Sequence, residues 1–139
     1  MHEMALMSRA MDIVLASATK AGAGRVTEVV MTIGDARDVI EDLLNDVFGY
    51  LAKGTIVEGA SLTVIRTPYM VKCRSCSNIH RIDVHDHSTF PCPSCGSVRN
   101  YDILSGMEFR IERVMAAPVT PSAAGKQGAQ ESREALAAV

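Results

Sequence analysis

The chain has 139 residues, 47% of them apolar, 4% aromatic and none of them Trp. That is enough for one core of Val, Ile, Leu, Met and Ala, and too apolar for a disordered chain. A formal net charge of −2 argues against a surface built for nucleic acid, where a basic excess is usual.

Residues 4–20 place Met4, Met7, Met11, Val14, Leu15 and Ala18 at the three-and-four spacing of one helix face, and Ala21-Gly22-Ala23-Gly24 ends that helix. Arg25 to Ile33 is rich in β-branched residues with apolar groups on both faces, which predicts a strand interior to its sheet. A second helix is expected over about Val39 to Lys53. Asp38 is its expected N-cap, Val39, Leu43, Leu44, Val47, Phe48 and Leu51 its buried stripe, and Gly54 its stop. A strand over about Ala60 to Thr67 ends at Pro68. Further on, Met107, Phe109 and Ile111 alternate with Glu108, Arg110 and Glu112, which predicts a strand with one buried face. This strand is expected to return to the first sheet, because two strands and two helices need a third strand to cover them.

The fold class is therefore α+β: a small sheet of about three strands with two helices, plus an inserted four-cysteine zinc-ribbon module. The expected division is 1–70 with 105–117 as an α+β domain, 71–104 as the module, and a Pro/Ala-rich tail over 118–139. By composition the tail reads as disordered, with 130–139 as a short frayed helix.

All four cysteines belong to one constellation, Cys73-Arg-Ser-Cys76 and Cys92-Pro-Ser-Cys95, with fifteen residues between the pairs. Two C-x-x-C knuckles at this spacing supply four thiolates, the donor set and number that zinc prefers in a tetrahedron. A full set of thiolates leaves no open position, so the site reads as structural. A rubredoxin-like iron centre uses the same ligands. A redox pair is disfavoured, since such a pair follows a strand and opens a helix, whereas here both pairs lie among turn residues. Gly96 suits a tight turn at positive φ after the second pair; Ser77 holds the matching place after the first. His85-Asp86-His87 reads as a solvated loop, with a loose metal site as the sharper alternative, and Asp83 and Asp86 read as surface charge. No Gly-rich phosphate loop and no supported nucleophile–base pair is present, which points away from an enzyme.

Met1-His2-Glu3 forms a second candidate site. His is too bulky for efficient removal of the preceding Met, so a free Met1 amine is expected. That amine, the His2 backbone nitrogen and the His2 imidazole close fused chelate rings around one ion, and Glu3 adds its backbone nitrogen or carboxylate. Nitrogen donors in a square plane suit Ni(II) or Cu(II) better than zinc. No segment approaches the roughly 20 apolar residues of a membrane-spanning helix, and Glu3 and Asp12 do not fit a signal peptide. Metal-held thiolates suit a reducing compartment, so the expected localisation is cytoplasmic.

With these features together, the chain resembles the hydrogenase nickel-incorporation protein family (HypA/HybF). The resemblance rests on Met1-His2-Glu3-Met4 opening a helix, Val30-Met31-Thr32-Ile33-Gly34 before the second helix, and Gly59-Ala60 leading into Leu62-Thr63-Val64. The cysteine spacing and Ser105-Gly106-Met107-Glu108 before the last strand complete it, over residues 1–115. It implies a nickel metallochaperone that holds one nickel through Met1, His2 and Glu3, with His2 the essential ligand, and one structural zinc through Cys73, Cys76, Cys92 and Cys95. It also implies work with a nickel-handling GTPase (HypB) to load the large-subunit precursor of [NiFe]-hydrogenase, and in some relatives urease. The stretch Asp35-Ala36-Arg37-Asp38 departs from the relatives' usual Glu and Ser-Gly-like turn, which makes Asp35, Asp38 or Glu41 the acidic candidates to assist nickel. The competing class is a zinc-ribbon module for protein or nucleic-acid interaction with no nickel role; the charge balance and scarce aromatics count against nucleic acid.

Overall fold

The computed structural model describes residues 3–119 and 134–137. Helix α1 (Glu3–Lys20) buries Met7, Ala10, Met11, Val14 and Ala18, positions that share one face at 3.6 residues per turn. Glu3 is buried on the same face. Met4, expected in the stripe, is 48% exposed, because it sits about 100° round the helix from Glu3 at the margin of that face. Helix α2 (Glu41–Ala52) buries Leu44, Val47, Phe48 and Ala52 and packs against α1. Leu43, also expected inside, points away and is exposed.

Strand β1 (Ala23–Gly34) is interior, as the two apolar faces of its sequence predict, in a sheet of order β2-β1-β6-β7. Its partners are β2 (Ser61–Thr67) and β6 (Phe109–Pro118). Val26, Val29, Val30, Met31 and Ile33 of β1 are all buried. The Thr27 hydroxyl donates to the Met115 carbonyl at 3.1 Å, and the Thr63 hydroxyl to Glu28 Oε2 at 2.7 Å. In β6 the buried positions run Ile111, Val114, Ala116 and Ala117, so the alternation read from the sequence slips phase after Ile111. Met107, expected on the buried face, precedes the strand and is exposed.

Residues 120–133 and 138–139 of the expected tail lie outside the described residues. Glu134–Ala137 form a short strand, β7, antiparallel to β6 with Arg113 opposite Ala137 and Ala116 opposite Glu134. The helix expected over 130–139 is not what these four residues adopt. Ten residues are too few to hold an isolated helix, whereas the open edge of β6 offers backbone partners.

The chain divides into two compact units. The first draws on Met1–Met31, Val39–Val64 and Arg110–Val139 and contains both helices. The second comprises Thr32–Asp38 and Ile65–Phe109, a wider span than 71–104. Its sheet has the order β4-β3-β5, from β3 (Tyr69–Cys73), β4 (Ile79–Ile82) and β5 (Tyr101–Ser105). Both pairings are antiparallel, with Lys72 opposite Ile79 and Cys73 opposite Tyr101. In chain order the module is inserted between β2 and β6, as the sequence implies.

Within the second unit, two sequence phrases far apart in the chain meet. The Gly34 N–H donates to the Glu108 carbonyl at 2.8 Å, and the Ala36 N–H to the Gly106 carbonyl at 2.9 Å. The Glu108 carboxylate accepts from the Gly106 N–H at 2.9 Å and the Thr67 hydroxyl at 2.5 Å. A Cβ at Gly34 would lie 2.0 Å from the Gly106 carbonyl oxygen and 2.1 Å from its carbon, atoms of backbone that cannot swing aside. Gly34→Ala is therefore expected to destabilise the zinc-loaded chain by about 3 kcal/mol or more in urea titration. Gly49→Ala in α2, where a Cβ meets nothing within 4 Å, should raise stability by up to about 1 kcal/mol through helix propensity alone. Equal effects of the two substitutions would contradict this packing.

Candidate metal centres

Cys73 closes β3, Cys76 and Cys95 lie in turns, and Cys92 directly precedes the second of these turns. Two backbone knuckles of the same design carry them. In the first, the Ser77 N–H donates to the Cys73 carbonyl at 2.9 Å and the Cys73 N–H to the Asn78 carbonyl at 2.8 Å. In the second, Gly96 N–H reaches the Cys92 carbonyl at 2.8 Å and Cys92 N–H the Ser97 carbonyl at 2.9 Å. Gly96 has φ 79° and Ser77 φ 64°, so the serine adopts the left-handed conformation that the motif demands, at a cost glycine avoids.

The four sulfurs lie within 4.8 Å of one another, with Cys73 Sγ 3.6 Å from Cys95 Sγ and Cys76 Sγ 3.5 Å from Cys92 Sγ. A disulfide needs about 2.05 Å, whereas a tetrahedral zinc with Zn–S bonds of 2.3 Å sets sulfurs about 3.8 Å apart. The geometry thus fits a shared ion, and neither pair opens a helix as a redox pair would. Among the described residues, this is the only cluster of three or more His, Cys, Asp or Glu side chains able to hold a metal.

The thiols differ in their hold on the proton. Cys95 is lowered to about 6, chiefly by the Ser97 hydroxyl and also by the Ser97 N–H and Cys73. Cys92 is lowered by the Cys95 and Ser94 backbone N–H groups against the opposing effect of burial. At Cys76 the Asn78 N–H favours the thiolate, but the Cys92 sulfur, burial and the sulfurs of Cys95 and Cys73 together outweigh it and push this thiol up to about 12. Four sulfurs this close share the negative charge poorly without a cation. Ser75 and Asn100, which the sequence reading passed over, brace the knuckles: Asn100 Nδ2 donates to Ser75 Oγ at 2.8 Å, and Arg74 N–H to the Asn100 carbonyl at 2.9 Å. No spacing rule would have found them.

The run from His85 to His87 does not converge on a metal. His85 Nε2 lies 3.3 Å from Asp38 Oδ1, and the His87 ring packs on Phe90 at 4.9 Å. Asp83 and Asp86 are more than surface charge, because they build this loop. Asp83 Oδ1 accepts from the His85 N–H at 2.9 Å, and Asp86 Oδ1 from the Ser88 N–H at 3.0 Å. The Ser88 hydroxyl and N–H lower the Asp86 carboxyl below its ordinary range.

Met1 and His2, two of the three expected nickel ligands, lie outside the described residues. Glu3 is 6% exposed, and its Oε2 accepts the Ile40 N–H at 3.0 Å. Ile40 is the N-cap residue of α2 and has no side-chain cap of its own. Asp38, the expected cap, is turned to His85 instead. Asp35 is paired with Arg66 at 3.3 Å and Arg81 at 3.4 Å. The Arg66 guanidinium also donates to the carbonyls of Ile33, Gly34 and Arg37 at 2.9, 3.1 and 3.2 Å, which fixes the loop that carries Asp35. Among the described residues, no helix is long and apolar enough to cross a membrane.

Residues 1–116 match the family model described as HypA, hydrogenase/urease nickel incorporation, metallochaperone. The chain is 31% identical over 133 residues to the hydrogenase maturation factor HypA of Pyrococcus furiosus, covering 83% of this chain and 95% of that one. It is 32% identical over 114 residues to HypA of Geotalea uraniireducens, covering 82% and 97%. The fold is similar to the solution structure of the Ni metallochaperone HypA from Helicobacter pylori, with a TM-score of 0.57 at 23% identity, over 82% of this chain and 96% of that one. With a model match running through both C-x-x-C knuckles and over residues 1–116, the chain belongs to the HypA family of nickel metallochaperones for hydrogenase maturation, and its work is to carry an ion, not to catalyse a reaction.

Proposed function

We propose that the chain binds one Ni(II) through the Met1 amine, the backbone nitrogen and imidazole of His2, and the backbone nitrogen or carboxylate of Glu3, while Cys73, Cys76, Cys92 and Cys95 hold one structural zinc. What supports this reading is the match to a nickel-incorporation family over residues 1–116, a span that includes Met1-His2-Glu3. Glu3, the third residue of the proposed site, opens α1 and is buried.

Delivery needs an ion that is held selectively and then released. Donors at a chain end can be lifted off one at a time by a competing ligand set. The proposed recipients are a nickel-handling GTPase of the HypB kind and the large-subunit precursor of a [NiFe]-hydrogenase, in the cytoplasm; urease is the second acceptor to test. The zinc site supplies architecture, since its four thiolates complete the coordination shell.

Amine and imidazole must lose protons before they ligate. Their unperturbed pKa values are about 8 and 6.5, so protonation competes more strongly as pH falls and affinity drops with it. Nickel affinity is expected to fall about 10- to 100-fold between about pH 7 and 6. Metal analysis and titration calorimetry on untagged chain starting at Met1 should find one zinc and one nickel at neutral pH. A flat pH profile, or uptake of a single metal equivalent, would sink the reading.

A further inference from the structure

We propose that the Ser97 hydroxyl, the last link of a hydrogen-bond chain from Asn100 through Ser75, makes Cys95 the first of the four thiolates to leave the zinc. The proposal rests on the reading that the four cysteines hold zinc, and adds which of them lets go.

The two knuckles are alike in backbone but not in what surrounds their sulfurs. Cys73 and Cys92 are buried and Cys76 and Cys95 exposed, so an incoming ligand meets one of the latter two first. Each of these accepts the backbone N–H of the residue two positions on, Asn78 for Cys76 and Ser97 for Cys95. The likeness ends at the side chain. Ser97 Oγ lies 3.3 Å from Cys95 Sγ, whereas Asn78 at the matching position carries no hydroxyl.

Ser97 does not act alone. Its Oγ is 3.3 Å from Ser75 Oγ, which accepts from Asn100 Nδ2 at 2.8 Å. Ser75 belongs to the first knuckle and Ser97 to the second, so the row crosses between them. Asn100 is itself fixed, because its carbonyl accepts the Arg74 N–H at 2.9 Å. A thiolate can only accept, so the Ser97 hydroxyl turns its one proton to Cys95. Its oxygen then accepts from Ser75, whose oxygen in turn accepts from Asn100. Every donor in the row is aimed toward the Cys95 sulfur, and bonds in such a row polarise one another.

A bound thiolate shares its charge with the ion. On departure the electron pair stays on sulfur, an incoming ligand takes its place on the ion, and the full negative charge returns to the sulfur. Donors already aimed at that atom stabilise the charge as it develops, with no reorganisation needed. Hydrogen bonds from outside the ligand set tune a metal site in this way. Cys95 is thus both reachable and the better leaving group; Cys76 is reachable but lacks the hydroxyl.

Zinc transfer from the full-length zinc-loaded chain to the chelator pyridylazoresorcinol tests this. Ser97→Ala should release zinc about three- to tenfold more slowly than the parent, part of the worth of one hydrogen bond to a charged atom. Ser97→Thr, which keeps the hydroxyl, should release at the parent rate. Ser75→Ala, which cuts the row one link earlier, should slow release about two- to threefold. In the cobalt-loaded chain, Ser97→Ala should move the thiolate-to-metal charge-transfer band to lower energy, which loss of a merely structural serine would not do. N-Ethylmaleimide present during transfer should label Cys95 first in the parent, and Cys95 and Cys76 alike in Ser97→Ala. Parent-like release or an unmoved band in Ser97→Ala, or first labelling at Cys76 in the parent, overturns the proposal. If Ser97→Ala does not fold, an unchanged release rate in Ser75→Ala overturns it equally. A parent chain that takes up no zinc strikes the zinc reading itself, and the proposal falls with it.

Discussion

Replacing Cys73 by Ala is expected to unfold the second compact unit while leaving the helical unit folded. Between Ile65 and Phe109, the buried side chains besides the cysteines Cys73 and Cys92 are Val71 and Ile82. Each such residue contributes about 1.5–3 kcal/mol on burial, far less than the backbone entropy of ordering forty-odd residues at about 1–2 kcal/mol each. Hydrogen bonds in β3, β4 and β5 narrow that gap but do not close it. Structural zinc in small cysteine domains contributes about 10–16 kcal/mol, which makes ion binding the decisive favourable contribution here. The first unit, by contrast, buries Met7, Met11, Val14, Val29, Met31, Leu44, Val47, Phe48 and Val114 and has a core of its own. Limited proteolysis should therefore cut Cys73→Ala within 65–109, and far-UV circular dichroism should keep its helical signal. A strong chelator should reproduce the effect in the parent chain. Zinc binding should also release fewer than four protons near pH 7, because the Cys95 thiol, lowered to about 6, is already mostly ionised. A variant lacking Cys73 that resists protease as well as the parent would mean that something other than the ion holds this unit together.

What could be read from the sequence was whatever repeats or chelates. The cysteine spacing gave the cluster, because four thiolates on two knuckles leave few alternatives. The helix faces and the interior position of β1 followed from periodicity, and the inserted module followed from a strand that needed a sheet. What escaped was set by tertiary partners. Asp38 looked like a cap by residue type, yet the Ile40 N–H is met by Glu3, thirty-seven positions away, and no local rule reaches that far. Nothing local in the sequence shows why Gly34 and Gly106 cannot carry a Cβ: at Gly34 it would meet the Gly106 carbonyl, and at Gly106, which has φ 116°, it would meet Tyr69. Ser77 takes a glycine-like φ because two backbone bonds of the knuckle outweigh the strain. Met107 was misplaced because its alternation with Glu108 began one turn before the strand did, in the loop that Glu108 itself pins.

His2→Ala is expected to abolish nickel binding at micromolar concentrations while zinc content and fold stay those of the parent. The imidazole is the one neutral side-chain nitrogen in Met1-His2-Glu3, and with it go a donor and a fused chelate ring. The amine and backbone nitrogens that remain do not complete a square plane, and unaided backbone amides ionise too reluctantly at neutral pH to compensate. Each lost order of magnitude corresponds to about 1.4 kcal/mol, so the loss of one strong nitrogen donor and its ring should weaken binding at least about 100-fold, by roughly 3 kcal/mol or more. The cysteine cluster lies more than seventy positions along the chain in a separate compact unit, so its ion is an internal control for folding. The informative comparison is with a chain extended by a few residues before Met1. There the imidazole survives but the α-amine is converted to an amide, and nickel affinity should fall nearly as far as in His2→Ala. In cells, both chains should fail to support nickel loading of the hydrogenase precursor while accumulating to normal levels. Calorimetry showing parent-like nickel affinity in either chain would move the cargo site away from the amino end, and the four thiolates would then be the place to look for it.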